Sequence, residues 1–214
     1  VTTCSPASGG KSTRVASEDY SAFYLWSGVE APPGMNGADT AYLLWGELRR
    51  GDPAQIVPLR RNVPTAVTTE MWLVVRAERL DWEEAAFDQL QRAVRQWNAN
   101  DALTGIQIDF DSHTRELGDY AAFLADVRTR LPEGTQLSAT GLMDWPANAS
   151  ESDLAALRSA LDEIVIQTYQ ATDTIPDNAR YLAQTDRLAM PYRVALIDGG
   201  AWSPPAQLAD DPHF

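Results

Sequence analysis

The sequence predicts an α/β fold, a (β/α)8 TIM-like barrel that is incomplete or irregular, with about seven parallel strands visible. Apolar segments of strand length alternate with segments of helical period, which is typical of a parallel sheet covered by helices. Several predicted strands carry polar side chains on a face that such a sheet encloses. In a barrel, inward side chains near the carboxyl ends of the strands meet the ligand. At 214 residues the chain is short for a complete barrel, which typically has about 250 residues.

The composition argues against several classes of function. The chain carries 17 basic and 30 acidic residues, a net charge of −13, so we predict no nucleic-acid partner. Lys11 is the only lysine, which leaves a covalent lysine mechanism without a candidate in the body of the domain. Cys4 is the only cysteine, and His113 and His213 are the only histidines. We therefore predict no intramolecular disulfide, no metal site built from cysteine or histidine, and no cofactor.

The beginning of the chain differs in composition from the rest. Residues 1–19 are small and polar without an apolar period, and we predict a flexible leader before a single domain over residues 20–214. The start Val1-Thr2-Thr3-Cys4 loosely resembles the end of a bacterial lipoprotein signal, in which the cysteine receives the lipid. Two interpretations stay open: an exported or periplasmic protein held at a membrane only through a lipid on Cys4, or an inert thiol on a tail. The oligomeric state is left open.

Three strands are predicted before the first helix, over residues 21–28, 40–48 and 71–77. Alternation in the second strand places Trp45 and Glu47 on one face. The connection over residues 50–69 is rich in proline, which cannot donate within a central ladder. We therefore predict an irregular segment with a short edge strand near residues 54–60.

Helices and strands alternate after that point. Asp81 and Glu84 have the spacing of a capping box, and the helix that they open has an apolar face of Phe87, Leu90, Val94 and Trp97. Ser150 is predicted to open a later helix. We expect parallel, adjacent strands over residues 103–110, 135–143 and 163–169, and a last strand over residues 188–197.

The acidic strand within GIQIDFD is the most informative segment. Gln107, Asp109 and Asp111 share one face, and Ile106 and Ile108 share the other. A buried carboxylate is costly unless it is paired, hydrogen-bonded or protonated, so two inward acids favour a pocket. Asp111 would lie at the mouth, with Asp109 one pleat deeper. The structural alternative is that Asp109 is a satisfied buried acid and that Asp111 only caps the following helix.

Polar side chains converge from at least five predicted strands, mostly near their carboxyl ends. The set is Glu47, Arg76, Gln107, Asp109, Asp111, Asp144, Gln167 and Tyr169. Because these ends meet at one face of a barrel, the convergence predicts a ligand site.

Longer stretches of the sequence resemble a known family. GIQIDFD, DYAAFLADVRTRLPEGTQLSATGLMDW, EIVIQTY and YRVALI are similar to the bacterial domain-of-unknown-function family 3142, whose members look like glycosidase-type TIM barrels. The similarity covers roughly residues 20–200. More distantly, TGIQIDFD is similar to the DGIDIDWE strand of chitinase-type glycoside hydrolases.

The resemblance implies a role for several residues. Asp111 takes the place of the general acid, and Asp109 that of its supporting carboxylate. Tyr169 matches a phenol that steadies the substrate carbonyl, and Trp202 matches a late tryptophan that forms a sugar platform. The residues expected to bind substrate are Glu47, Arg76, Gln107, Asp144, Gln167 and Trp202.

The sequence also departs from the chitinase pattern. Gln107 and Gln170 replace carboxylates, and Asp111 is shorter than the usual glutamate. Three hypotheses stay open. A glycoside hydrolase-like protein would cleave a β-linked glycan, assisted by an N-acetyl group of the substrate. A barrel that binds a glycan or peptidoglycan fragment without cleaving it is the alternative. A third hypothesis places a divalent cation on Asp109, Asp111 and Asp144.

Overall fold

The computed structural model describes residues 2–3, 13–31, 35, 37–60, 70–99 and 103–214. The strands of these residues are β1 (Thr2–Thr3), β2 (Thr13–Arg14), β3 (Ala22–Leu25), β4 (Thr40–Leu48), β5 (Ile56–Pro58), β6 (Glu70–Ala77), β7 (Gly105–Asp109), β8 (Gln136–Leu142), β9 (Glu163–Gln167), β10 (Tyr169–Gln170), β11 (Asp173–Thr174), β12 (Tyr192–Leu196) and β13 (Ala201–Trp202). The α-helices are α1 (Glu84–Trp97), α2 (Leu117–Arg130), α3 (Trp145–Asn148), α4 (Glu151–Ala160) and α5 (Asn178–Leu182). Short 3-10 helices lie at Ser17–Asp19, Thr114–Glu116, Thr185–Leu188 and Ala206–Asp210.

Seven parallel strands follow one another in chain order around one curved sheet. Their order is β3, β4, β6, β7, β8, β9 and β12. The strands β7, β8 and β9 are parallel neighbours, which confirms the expected arrangement of residues 103–110, 135–143 and 163–169. The predicted fold class, an incomplete (β/α) barrel, is confirmed.

The irregular part of the barrel lies between its first and last parallel strands. The two-residue strand β1 pairs antiparallel with both β3 and β12, so it lies where an eighth parallel strand would run. The predicted edge strand is confirmed as β5, which pairs antiparallel with the end of β4.

The structure assigns residues 13–19 to the barrel, although the composition predicts a leader there. Strand β2 pairs with β13, and the N–H of Val15 donates to the carbonyl of Gly200 over 2.9 Å. Val15 is 3% exposed, because it packs into the main core. Residues 4–12, including Cys4 and Lys11, lie outside the described residues.

Helices cover the outer face of the sheet. All four residues of the predicted α1 face, Phe87, Leu90, Val94 and Trp97, are buried. Truncating any one of these side chains to alanine typically costs about 2–5 kcal/mol. Hydrophobic burial between helix and sheet therefore holds the outer layer in place.

Only one of the two predicted helix caps is confirmed. The Ser150 hydroxyl accepts a hydrogen bond from the N–H of Asp153 at 3.1 Å, which opens α4 as expected. The prediction that Asp81 caps α1 is wrong, because α1 begins after Glu83 and has no side-chain cap. The Asp81 carboxylate instead binds the guanidinium of Arg79.

A bulge in β4 overturns the expected pairing of Trp45 with Glu47 on one face. The register with β6 shifts between Leu44 and Gly46. As a result Trp45 and Leu48 both lie in the outer core, so Glu47, which precedes Leu48 and pairs with Arg76, lies on the opposite face from Trp45. Gly46 suits the bulge, because a Cβ there would lie 2.7 Å from Cγ2 of Ile56.

A polar network closes the end of the barrel at which the strands begin. Glu70 and Glu163 are the first residues of β6 and β9, and Arg193 binds both, at 3.1 and 2.7 Å. The Tyr42 hydroxyl donates to Glu163 over 2.6 Å. Burial and the charge of Glu163 raise the pKa of Tyr42, which keeps this hydroxyl protonated. This network lies at the opposite end from the acids of the predicted site.

Candidate active site

An open cleft of about 900 Å³ lies at the carboxyl ends of the parallel strands. Asp109 and Gln167 end β7 and β9, and Arg76 is the last residue but one of β6. The residues that line the cleft are Trp26, Arg76, Asp109, Asp111, His113, Leu142, Met143, Asp144, Gln167, Tyr169, Gln170, Ala171, Ile175 and Tyr181. A cleft of this volume is large enough to hold a small-molecule ligand.

Asp109 lies at the floor of the cleft and is 5% exposed. Its Oδ1 accepts a hydrogen bond from the Thr140 hydroxyl at 2.8 Å and a longer one from Gln167 Nε2 at 3.4 Å. The prediction that Asp109 is buried and hydrogen-bonded is confirmed. Burial raises the pKa of Asp109, and repulsion from Asp111 adds to this, while Thr140 and Arg76 oppose it. The floor of the cleft therefore holds a carboxyl group that binds its proton more tightly than a free aspartate does.

Asp111 lies two residues further along and is exposed to solvent in the cleft. The turn that presents it is fixed below, because Trp145 Nε1 donates to the carbonyl of Ser112 over 3.0 Å. The alternative that Asp111 caps the next helix is wrong: the 3-10 turn begins after His113, and α2 begins after Glu116. Asp111 is thus a mouth residue without a capping role.

Tyr169 is half-buried in the wall of the same cleft. A small hairpin of β10 and β11 holds it, with Tyr169 paired to Thr174. Burial raises the pKa of Tyr169, and the charges of Asp109 and Asp111 raise it further. The phenol therefore stays protonated and can donate a hydrogen bond to a ligand.

Three predicted substrate-binding residues also reach the cleft. Arg76 is exposed, whereas Asp144 and Gln167 are half-buried. Asp144 lies beyond the end of β8, at the start of α3, and accepts a hydrogen bond from the Thr114 hydroxyl at 2.5 Å. These residues come from three different strands or strand ends, as the predicted convergence requires.

Three other predicted residues lie elsewhere. Gln107 is fully buried, accepting from the Tyr24 hydroxyl at 2.7 Å and donating to the Ser138 hydroxyl at 2.9 Å. Trp202 is 3% exposed within the outer core, where it cannot offer a ring to a sugar. Glu47 does not line the cleft, and its carboxylate accepts from Arg49 Nε at 2.9 Å. Gln107 and Trp202 therefore have almost no exposed surface for a direct contact with substrate, and Glu47 lies outside the lining of the cleft.

Trp26 is a cleft residue that the sequence analysis missed. It follows β3 directly, and its ring stacks on that of Tyr24 with centroids 6.0 Å apart. Tyr24 in turn stacks on Tyr42, and Tyr42 on Trp72, at 4.6 and 5.8 Å. This column of rings supports Trp26 from below. The alternation of Tyr24 and Trp26 at the end of a predicted strand was the available signal.

The described part of the chain offers no group of three or more acidic, histidine or cysteine side chains that could hold a metal ion. Asp109, Asp111 and Asp144 line one cleft without forming such a group. The divalent-cation hypothesis therefore has no geometric support. Among the described helices, none is both long and apolar enough to cross a membrane.

A family model, that of the Domain of unknown function (DUF3142), matches residues 71–201. The chain belongs to the DUF3142 family. The matched range begins in β6 and ends at β13, so it contains Arg76, Asp109, Asp111 and Tyr169. No curated protein matches the chain significantly.

Several solved structures resemble the DUF3142 chain at low sequence identity. The Bacillus cereus spore cortex-lytic enzyme SleL is 17% identical, covering 85% of this chain and 49% of its own, with a TM-score of 0.48. The chitinase domain of the Clostridium difficile spore coat protein CotE is 13% identical, covering 90% and 69%, with a TM-score of 0.49. The class V chitinase from Nicotiana tobaccum is 15% identical, covering 73% and 53%, with a TM-score of 0.47. A variant of that chitinase was solved in complex with NAG4. The chain spans about half the length of SleL.

Proposed function

We propose that this DUF3142 barrel binds a β-linked, N-acetylated glycan in the cleft and hydrolyses it, with Asp111 as the general acid. One observation carries the proposal: Asp111 and Tyr169 open onto the same cleft, with the buried carboxyl of Asp109 at its floor. Glycoside cleavage needs a proton donor at the leaving oxygen and stabilisation of an oxocarbenium-like centre. The three residues supply groups of these two kinds.

Each residue has a distinct part in the proposed reaction. Asp111 gives its proton to the glycosidic oxygen as the bond to the anomeric carbon breaks. The carbonyl oxygen of the substrate's N-acetyl group attacks that carbon, and the Tyr169 hydroxyl donates a hydrogen bond that orients this carbonyl. Water then opens the cyclic intermediate, and Asp111 takes back a proton. Substrate assistance suits the cleft because it needs no carboxylate nucleophile.

Asp109 is proposed to act through its protonation state. Burial favours its protonated form, and the nearby charge of Asp111 favours that form further. A protonated Asp109 stays neutral beside the carboxylate that Asp111 becomes once it has given its proton to the glycosidic oxygen, so the pair then carries one charge instead of two. Thr140 and Gln167 hold the Asp109 carboxyl in one position during this step.

A glycan-binding barrel without catalysis is the second candidate. The carboxyl group of Asp111 reaches one methylene less far than that of a glutamate, and Gln107 is fully committed to Tyr24 and Ser138. The shorter reach of Asp111 makes proton transfer to a glycosidic oxygen less effective. Gln107 replaces a carboxylate of the chitinase pattern, so it cannot support Asp111 as an acid would. Binding alone would still use Trp26, whose stacked ring lines the cleft.

The two candidates are separated by measuring turnover and binding on β-linked N-acetylglucosamine oligomers and peptidoglycan fragments. The wild type is compared with Asp111→Asn and with the control Asp88→Asn, which removes an exposed carboxylate on α1. Loss of a general acid lowers the rate by about 10²–10⁴ while binding persists, and the control keeps full activity. Binding without turnover in every protein would favour the second candidate. Neither turnover nor binding would contradict both.

A further inference from the structure

Arg76 is the only arginine or lysine among the described residues that line the cleft. It is exposed, and it pairs in register with Asp109 on one side and Glu47 on the other. A guanidinium between two acids is expected to form an ion pair with one of them. The ion pairs of the described residues nevertheless use other arginines, namely Arg49, Arg79, Arg115, Arg128, Arg130, Arg158 and Arg193.

Three of the acids around Arg76 are already bound to other groups, and no ion pair among the described residues joins Arg76 to the exposed Asp111. Glu47 accepts from Arg49, and Asp109 is buried against Thr140. Asp144, across the cleft, accepts from the Thr114 hydroxyl. Arg76 is therefore a positive charge that lines an acidic cleft and takes part in no ion pair among the described residues.

We infer that the cleft prefers a glycan that carries a carboxylate on one of its sugars, and that Arg76 binds this carboxylate. The inference rests on the proposed function, because it assumes that the occupant is a glycan. A guanidinium presents two parallel N–H donors that match both oxygens of a carboxylate, a geometry that a lysine ammonium lacks. A neutral sugar can accept hydrogen bonds from a guanidinium but does not neutralise its charge, as a carboxylate does.

The net charge of the protein makes the preference informative. At −13 the chain repels an anionic polymer at a distance, so any gain in affinity from a carboxylate must come from a short-range contact. Arg76 is the cation placed to make that contact. The preference is expected to persist when salt screens the long-range repulsion, since a close pair is screened much less.

The test compares probes that differ only in the charge of the acidic sugar. One pair is an alternating N-acetylglucosamine and N-acetylmuramic acid tetrasaccharide, with its lactyl carboxyl either free or amidated. The second pair is a glucuronic acid-containing oligosaccharide and its neutral methyl ester. A neutral N-acetylglucosamine tetramer is the reference. Binding is measured by calorimetry on the full chain carrying Asp111→Asn, which prevents turnover.

Three further substitutions are made in that background. Arg76→Gln removes the charge, and Arg76→Lys keeps the charge but removes the paired donors. Arg92→Gln removes an exposed charge on α1, outside the cleft, and is the matched control. Thermal unfolding checks that every variant is folded.

The unsubstituted Arg76 protein is expected to bind at least one free acid roughly tenfold or more tightly than its neutral partner. Arg76→Gln should lower the affinity for the free acid far more than that for its neutral partner, so that the ratio falls to about one; Arg76→Lys should reduce the ratio, and Arg92→Gln should keep it. The probe pair that shows the ratio identifies the acidic sugar.

Equal affinity for both members of both pairs would overturn the inference, as would an unchanged ratio in Arg76→Gln. Equal losses for acidic and neutral probes would also overturn it, since Arg76 would then only position other groups. Absence of binding to every probe, including the neutral tetramer, would contradict the proposed function as well.

Discussion

Asp109 offers the sharpest test of how the cleft is built, because two opposed effects act on it. Its hydrogen bond with Thr140 stabilises the folded protein, whereas burial makes its ionised form costly. Burial raises its pKa in the folded protein above the usual 3.8. A folded-state pKa that is raised for an acid means that the folded protein binds the proton more tightly than the unfolded chain does. Stability from this group is therefore present below pH 3.8 and is lost as the pH rises through the folded-state pKa.

Two substitutions separate the hydrogen bond from the charge. Asp109→Ala leaves the hydroxyl of Thr140, which is 2% exposed, without its acceptor. An unsatisfied buried donor costs about 1–3 kcal/mol, and each kcal/mol lowers the Tm of a domain of this size by roughly 2–4 °C. Asp109→Asn keeps an oxygen acceptor and cannot ionise, so it should match or exceed the wild type at pH 7. Asp111→Ala removes an exposed carboxylate and should change stability by no more than about 0.5 kcal/mol.

The assay is urea unfolding of the four proteins between pH 3 and pH 8. We expect Asp109→Ala to be the least stable at every pH. The stability of Asp109→Asn relative to the wild type should increase with pH and should be smallest below the usual pKa of aspartate. Equal losses from Asp109→Ala and Asp111→Ala would refute the assigned depths. An Asp109→Asn protein that loses stability relative to the wild type as pH rises would refute the reasoning about the charge.

Two further predictions concern the frame that holds the cleft. Gly105→Ala should destabilise the protein by roughly 1–3 kcal/mol or more, because the new Cβ would lie 2.4 Å from the carbonyl oxygen of Gln136. Chemical unfolding measures this loss. The control is Gly51→Ala, whose new Cβ would have nothing within 4 Å. Arg193→Met should cost towards the lower end of about 3–5 kcal/mol, because Glu163 would keep a buried charge and Arg193 is itself 30% exposed. The double variant Arg193→Met/Glu163→Gln should recover part of that loss, and an additive loss would contradict the ion-pair explanation.

The sequence was sufficient to predict the order of the parallel strands and the relative depths of Asp109 and Asp111. Strict alternation in GIQIDFD separates the apolar face from the acidic one, so the depths of Asp109 and Asp111 follow from the period of a strand. The cleft position of Arg76 follows from the same period of two, because Arg76 shares its face of β6 with Trp72 and Val74 of the inner apolar cluster. These inferences depend only on local geometry.

The remaining site residues depend on contacts between distant segments, which the alternation of a single strand does not encode. Gln107 lies on the predicted face but too deep, where Tyr24 and Ser138 satisfy it. Trp202 is buried because β13 pairs with β2, a segment whose small polar residues predict a leader. The bulge at Gly46 separates Trp45 from Glu47, since one extra residue reverses the side-chain direction.

We propose that one cleft brings a glycan's scissile bond to Asp111 and its N-acetyl carbonyl to Tyr169. A crystal structure of Asp111→Asn soaked with an N-acetylglucosamine oligomer tests this proposal directly. We expect a sugar in the cleft beside Trp26, with its acetamido oxygen within about 2.6–3.2 Å of the Tyr169 hydroxyl and the glycosidic oxygen in hydrogen-bond reach of residue 111. A sugar bound away from both side chains would contradict the claim, as would a cleft that stays empty at saturating oligomer.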